Sequence, residues 1–482
     1  MIARLPSAHP DARLHVRPVR RLLAVALLLV VPAATAAQAL NEAERAKVDS
    51  IALGVLAETG APSASVAIVR GGEVAYAQAY GTARINPDVA ASPAMRYAIG
   101  SVSKQFTATA ILLLAEEGKL KLDDKVSRFF PGLTRAKDVT IRQLLSMTSG
   151  YQDYWPQDYV MLDMQRPVTT DEILRRWAAK PLDFEPGSKW QYSNTNYVLA
   201  GAIVEKVARM PFLDFLKARI FTPLGMTSVA NYDAGPLSDA DAAPLLRNGL
   251  GPLRLAPKEG PGWLFAAGQL AMTAQDLARW DIGVMKQEIL KPASYHAQQT
   301  DMLLTSGVAT GYGLGVDVGE LGERRRISHT GAVSGYTTSN QIFPDDKVAV
   351  VVFTNIYPGG GGASSRIGAR LASFLFAPAD TAGAAALADA RAMYDALTQG
   401  RIDRTRLTVS ASGYFTDEVL ADYAASLGPL GAPTAFTRGG ESLRGGMVIR
   451  GYRIAAGGRN LNLTTMTMPD GKIEQYIVEK VN

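Results

Sequence analysis

Three short stretches carry side chains that can do chemistry together: Ser101-Val102-Ser103-Lys104, Tyr192-Ser193-Asn194 and His329-Thr330-Gly331. They supply a hydroxyl nucleophile, two candidate bases in Lys104 and Tyr192, and an amide-handling side chain in Asn194. His329, Thr330 and Gly331 add a stretch suited to holding a substrate against a developing oxyanion. The chemistry this set implies is acyl transfer through a serine, with lysine doing the work that histidine does in commoner triads. A Ser-x-x-Lys by itself recurs by chance in chains of this length. The specificity lies in three motifs in a working order.

Each motif needs an element to aim it. Ser101 and Lys104 are three apart at the mouth of an apolar run from Ser103 to Glu117, so on a helix they share one face. That run is apolar almost all round, which predicts a buried helix, with Gly118 as its C-terminal stop. Burial favours the neutral amine, lowering the lysine pKa and letting it take the Ser101 proton. The helix start also turns backbone N–H groups toward an oxyanion. The competing reading is a Ser N-cap with a solvated lysine.

Tyr192 and Asn194 follow the turn Pro186-Gly187 and precede a helix over 197–207, a loop position that can aim a phenol and an amide into a cleft. Tyr192 is expected to relay protons, its pKa lowered by a cationic Lys104. Asn194 either binds a substrate amide or caps the following helix. His329 lies on a strand where Gly331 permits close backbone approach. The N–H of Ala332 is then the natural second oxyanion donor beside that of Ser101. His296 lacks such company and reads as a surface residue. The aromatic stretch Tyr151, Tyr154 and Trp155 is expected to border the cleft.

Around these motifs the chain reads as a helix over 41–58, then strands over 63–69 and 73–83 joined by Arg70-Gly71-Gly72. Residues 119–290 read as mainly helical. Strands return from Tyr312, with Lys347 to Thr354 as a central one, and Ile367 to Phe376 closes with a helix. Strands at both ends of a helical middle imply one antiparallel sheet with helices on its faces and an all-helical subdomain, an α/β (α+β) fold. Residues 377–390, rich in Ala, Asp and Gly, read as a linker running into a helix, and 391–482 as a small α+β accessory domain of two short helices and three or four strands.

Bulk composition narrows the setting. Arg4, Arg13, Arg17, Arg20 and Arg21 precede the apolar run Leu22 to Val31 and the small-residue stretch Ala33 to Ala39. This predicts a cleaved export signal over 1–39, with cleavage after Ala36 or Ala39, and a periplasmic or secreted protein. The run is well short of the ~20 residues needed to span a bilayer, so no lasting membrane anchor is expected. The leader nets +4 (five Arg less Asp11), which takes the formal charge from +5 to +1. That is no footprint for nucleic acid. Without cysteine, and with only His296 and His329 beyond the leader, a His/Cys zinc centre cannot be assembled. No metal and no cofactor are expected.

With these motifs the chain resembles the serine β-lactamase and penicillin-binding-protein superfamily, in its class C β-lactamase-like branch of DD-peptidases, D-aminopeptidases and esterases. The resemblance runs over 45–376. It includes Leu144-Leu145-Ser146-Met147-Thr148-Ser149-Gly150, Pro223-Leu224-Gly225-Met226, Ala266-Ala267-Gly268, Tyr312-Gly313-Leu314-Gly315 and Thr354-Asn355. It implies that Ser101 is acylated, that Lys104 and Tyr192 form the base pair, and that Asn194 is an active-site amide ligand. His329 and Thr330 would line a substrate carboxylate pocket. One departure bears on substrate: class C β-lactamases usually carry Lys where this chain has His329. A neutral imidazole holds a carboxylate less firmly than an ammonium, although Arg324, Arg325 and Arg326 are near in sequence.

The reading is therefore an exported serine hydrolase that forms an acyl-enzyme on an amide or ester, whether D-amino-acid peptide, β-lactam or ester, with a small-molecule or peptide as its partner. The rival reading is a penicillin-recognising-like binding or scaffold protein of low turnover, whose C-terminal domain mediates interaction. Oligomeric state is left open.

Overall fold

A computed structural model describes residues 39–377 and 381–481. Residues 1–38 of the expected export signal lie outside the described residues. Among the described residues no helix is long and apolar enough to cross a membrane. Two compact units divide between Ala372 and Ser373.

The first unit opens with helix α1 (Glu42–Thr59), started by a capping box in which Asn41 and Glu44 exchange side-chain-to-backbone bonds. Strands β1 (Ser63–Arg70), β2 (Glu73–Arg84) and β3 (Val89–Ala90) follow. At the far end of the unit come β4 (Asp317–Leu321), β5 (Arg324–Val333), β6 (Tyr336–Phe343) and β7 (Val348–Thr354). Together they make one antiparallel sheet in the order β3-β2-β1-β7-β6-β5-β4. The early and late strands of this unit meet at its centre, where Ala64 faces Thr354 and Val69 faces Ala349. Every residue of β7 is buried and all but the last of β1, which fits continuous β-branched and small-residue runs covered on both faces.

Helix α2 (Ser103–Glu116) is buried from Ser103 to Leu114. Burying its large apolar side chains, Phe106, Ile111, Leu112, Leu113 and Leu114, stabilises by about 1.5–3 kcal/mol each, so this helix is a fixed post for anything at its mouth. Beside it lie α3 (Asn194–Ala208) and α4 (Ala274–Lys286), and α5 (Ala363–Leu375) closes the run. The helical middle also holds β structure that the sequence reading did not anticipate. Tyr97–Ala98 and Ala230–Asn231 flank Leu270–Met272 in a small sheet, and Leu245–Arg247 pairs with Leu253–Leu255. Strands of two or three residues carry no period to read.

The second unit has its own core, in which Tyr394, Leu397, Phe415, Leu463 and Tyr476 are buried. Its strands β8 (Ala435–Arg444), β9 (Met447–Ala456), β10 (Arg459–Thr467) and β11 (Ile473–Lys480) form a four-stranded meander. The helix expected after the linker is Thr381–Leu397, which begins inside the Ala-rich stretch, and Ala390, Met393 and Tyr394 enter this core. Alanine is the best helix former, which is why the helix starts within the Ala-rich stretch.

Candidate active site

Ser101 sits in a single 3₁₀ turn, Gly100–Val102, that feeds straight into α2. Its side chain caps neither element, so the N-cap reading falls and the hydroxyl is free for other work. The turn is jammed against β5. A Cβ on Gly331 would stand 2.0 Å from the Ile99 carbonyl oxygen and 3.2 Å from the Ser101 nitrogen. Gly100 has φ +53°, and a Cβ there would meet the Ala332 nitrogen at 2.7 Å. Only glycine allows this approach, and it brings the Ser101 and Ala332 backbones side by side. Pairing of β5 with β4 stops at Ser328, which leaves the half of β5 from His329 onward as an open edge facing the serine.

Lys104 is fully buried, and its Nζ lies 2.9 Å from Ser101 Oγ, 2.8 Å from Asn194 Oδ1 and 2.9 Å from the Ala267 carbonyl oxygen. Burial pushes its pKa down to about 7, against the pull of the Asp153 carboxylate. The contact set dictates what the neutral amine does. An amide oxygen and a carbonyl oxygen can only accept, so they hold the two N–H groups. Of the three partners only the Ser101 hydroxyl can donate, and the lone pair is left for it.

Tyr192 bonds the same hydroxyl, with its ring centroid 4.9 Å from Lys104 Nζ. Here the electrostatic expectation is corrected. The phenol is pushed well above its ordinary range, chiefly by burial and further by Asp153 and Asp317. Desolvation outweighs a neighbour that is itself half neutral, so Tyr192 remains a protonated phenol.

Asn194 is the first residue of α3, whose N-cap is Ser193 without a side-chain bond. The capping reading of Asn194 therefore falls too: its Oδ1 takes the lysine N–H, and its Nδ2 donates to Asp153 at 3.3 Å. Asp153, absent from the sequence reading, also accepts the backbone N–H of Asn194 (2.9 Å) and of Trp155 (3.2 Å). Burial raises its pKa. Its one sequence signal was a carboxylate inside an aromatic stretch, which no spacing rule singles out.

His329 is buried, with Nδ1 2.5 Å from the Thr330 carbonyl oxygen and Nε2 2.9 Å from the Tyr312 hydroxyl. Nδ1 therefore carries the proton and Nε2 accepts from the phenol. Burial, with Lys104 adding to it, pushes the pKa down to about 3. The ring is neutral at any ordinary pH and both nitrogens are engaged, so it offers a carboxylate no charge. Arg324 pairs with Asp346, Arg325 with Asp345, and none of the three arginines lines the cavity.

The cavity over the serine measures about 620 Å³. Ser101, Tyr192, Asn194, His329, Thr330, Gly331 and Ala332 all line it, with Asp153, Tyr154 and Trp155. Tyr151 does not; it is buried, and its hydroxyl donates to the Thr134 carbonyl at 3.0 Å. His296 is exposed, bonded to Thr300. Behind the strand end, buried Glu259 accepts the Ser334 N–H at 2.9 Å, and its other oxygen has no partner. Burial pushes its pKa up to about 7.

Comparison with known proteins bears on the family and the fold. The Beta-lactamase family model matches residues 40–373. Penicillin-binding protein 4* of Bacillus subtilis (strain 168) is 30% identical over 305 residues, 60% of this chain and 67% of that protein. The chain spans about three fifths to two thirds of the curated relatives it matches. A D-stereospecific amidohydrolase from Streptomyces sp. superposes with a TM-score of 0.59 at 24% identity, over 69% of this chain and 98% of that one. An octameric penicillin-binding protein homologue from Pyrococcus abyssi gives 0.61 at 21% identity, over 90% of this chain and 100% of its own. These two similarities speak for the fold.

Proposed function

The chain belongs to the Beta-lactamase family, and on that premise we propose that it is a serine hydrolase acting on amides or esters through an acyl-enzyme at Ser101. The observation that carries the reading is the 2.9 Å contact between Ser101 Oγ and a lysine whose pKa burial has brought to about 7. In acylation the neutral Lys104 amine takes the hydroxyl proton as Oγ bonds to the substrate carbonyl carbon. The N–H groups of Ser101 and Ala332 receive the oxyanion. The bond to the leaving nitrogen or oxygen then breaks, and that atom takes the proton from Lys104 by way of the Tyr192 phenol. Water attacks the ester so formed, giving its proton back through the same pair and releasing Ser101 and the acid.

Burial supports Tyr192 as a relay rather than a base, since a phenol held above its ordinary pKa passes protons without losing its own. Amides of D-amino acids are the substrate class we favour, in keeping with the D-stereospecific amidohydrolase that shares the fold. The basic, apolar leader supports export to the periplasm or beyond. Labelling with a fluorophosphonate and a fluorescent penicillin, followed by turnover of D- and L-phenylalanine amide and p-nitrophenyl butyrate, tests this. Ser101→Ala should abolish labelling and turnover while the melting temperature holds. Labelling of that variant at the wild-type rate would overturn the assignment.

A further inference from the structure

The charge around the cavity points to a substrate preference that runs opposite to a carboxylate pocket. Among the described residues that line it there is no lysine or arginine, and the charged side chains are Asp153 and Asp158. His329 is neutral, and Lys104 stands behind Ser101 with its bonds committed to Ser101, Asn194 and Ala267. Asp153 is spent on Asn194 and Trp155. Asp158 is different: it is exposed, forms no ion pair among the described residues, and accepts a bond from the Tyr357 hydroxyl. Tyr357 and Trp155 line the cavity with it. A carboxylate sharing a cavity wall with two aromatic residues complements a cation by charge and, through the ring quadrupoles, by its aromatic neighbours.

We propose that Trp155, Asp158 and Tyr357 form a subsite for a positively charged group, so that substrates bearing an ammonium are selected and those bearing a carboxylate are disfavoured. This rests on the reading of Ser101 as the acylated residue only for its kinetic consequence. Binding of the cation does not depend on it. The three residues also line an adjoining cavity of about 380 Å³ that contains Arg254, so the sign of the preference is a real test between the two neighbouring charges.

Two measurements test it on the full chain. Calorimetric titration with hexyltrimethylammonium and with hexanoate reads binding without chemistry. An exposed ion pair together with aromatic faces should favour the ammonium roughly tenfold, with the ratio shrinking in 0.5 M salt. Asp158→Asn should lower the ratio severalfold, and Asp158→Glu should restore it. The second measurement compares kcat/KM for p-nitrophenyl esters of hexanoate, 6-(trimethylammonio)hexanoate and adipate, equal in reach and different in charge. The trimethylammonio ester should lead and the adipate trail. Equal binding of the two ions, a preference for hexanoate, or an Asp158→Asn ratio unchanged from wild type would overturn the subsite. Loss of all Ser101-dependent ester turnover with the binding preference intact would instead overturn the proposed function and leave the subsite standing.

Discussion

The titration of Lys104 gives a direct handle on the proposed mechanism. With its pKa at about 7, the amine is half neutral near pH 7. The neutral fraction falls about tenfold for each pH unit below that, to about 1% at pH 5. The second-order rate of fluorophosphonate labelling, measured with an uncharged probe, should therefore rise about a hundredfold between pH 5 and pH 8 and then level off. A lysine at its ordinary pKa would instead keep the rate climbing past pH 9. Asp153 sharpens the test, because its carboxylate holds the ammonium up against desolvation. Asp153→Asn removes an anion beside the cation, so the rising limb should move to lower pH. The same shift enters stability. Below pH 7 folding buries an ammonium; between 7 and the unfolded value the folded state releases a proton that the unfolded chain keeps. Stability should thus rise with pH across that window through this group, by roughly 1.4 kcal/mol per unit at most. A limb that stays put in Asp153→Asn, or that lies near pH 10 in the wild type, would refute the electrostatic account of Lys104.

Three further outcomes follow from the geometry. His329 is held at about 3, so KM for carboxylate substrates should show no tightening between pH 7.5 and 5.5; a gain of tenfold there would mean that the imidazole titrates against substrate. Gly331→Ala would put a Cβ 2.0 Å from the Ile99 oxygen, forcing the strand edge off the serine turn. Labelling should fall by about a hundredfold or more, with a loss in Tm, and wild-type labelling would show that the two backbones need not touch. Glu259, raised to about 7, is neutral below that pH in the folded protein but ionises near 4.5 when unfolded, so stability drains away as pH climbs from 4.5 to 7. Glu259→Gln should shrink the drop in Tm between pH 5.5 and pH 8, and an unchanged drop would place the loss elsewhere.

What the sequence alone determined about this protein was whatever short-range chemistry encodes. Ser101 and Lys104 are one helical turn apart, so their contact needs no tertiary knowledge. The β-branched and small residues of 63–69 and 348–354 announce a covered sheet because both faces of those strands are apolar. Gly331 announced a close backbone approach, though not with what. Protonation was beyond reach, because desolvation comes from residues far along the chain. Tyr192 looked like a phenol beside a cation until burial pushed it the other way. His329 looked like a lining group of a carboxylate pocket until Tyr312, 17 residues away, and the Thr330 carbonyl occupied both ring nitrogens. Asp153 had no signature of its own, since it meets Asn194 across 41 residues. The sign of charge in the cleft was likewise a tertiary matter: three consecutive arginines promised a cation, and folding paired two of them with Asp345 and Asp346 and kept all three off the cavity wall. Residue type and local spacing travel with the chain, whereas solvent exclusion and charge balance are properties of the neighbours that only the fold assembles.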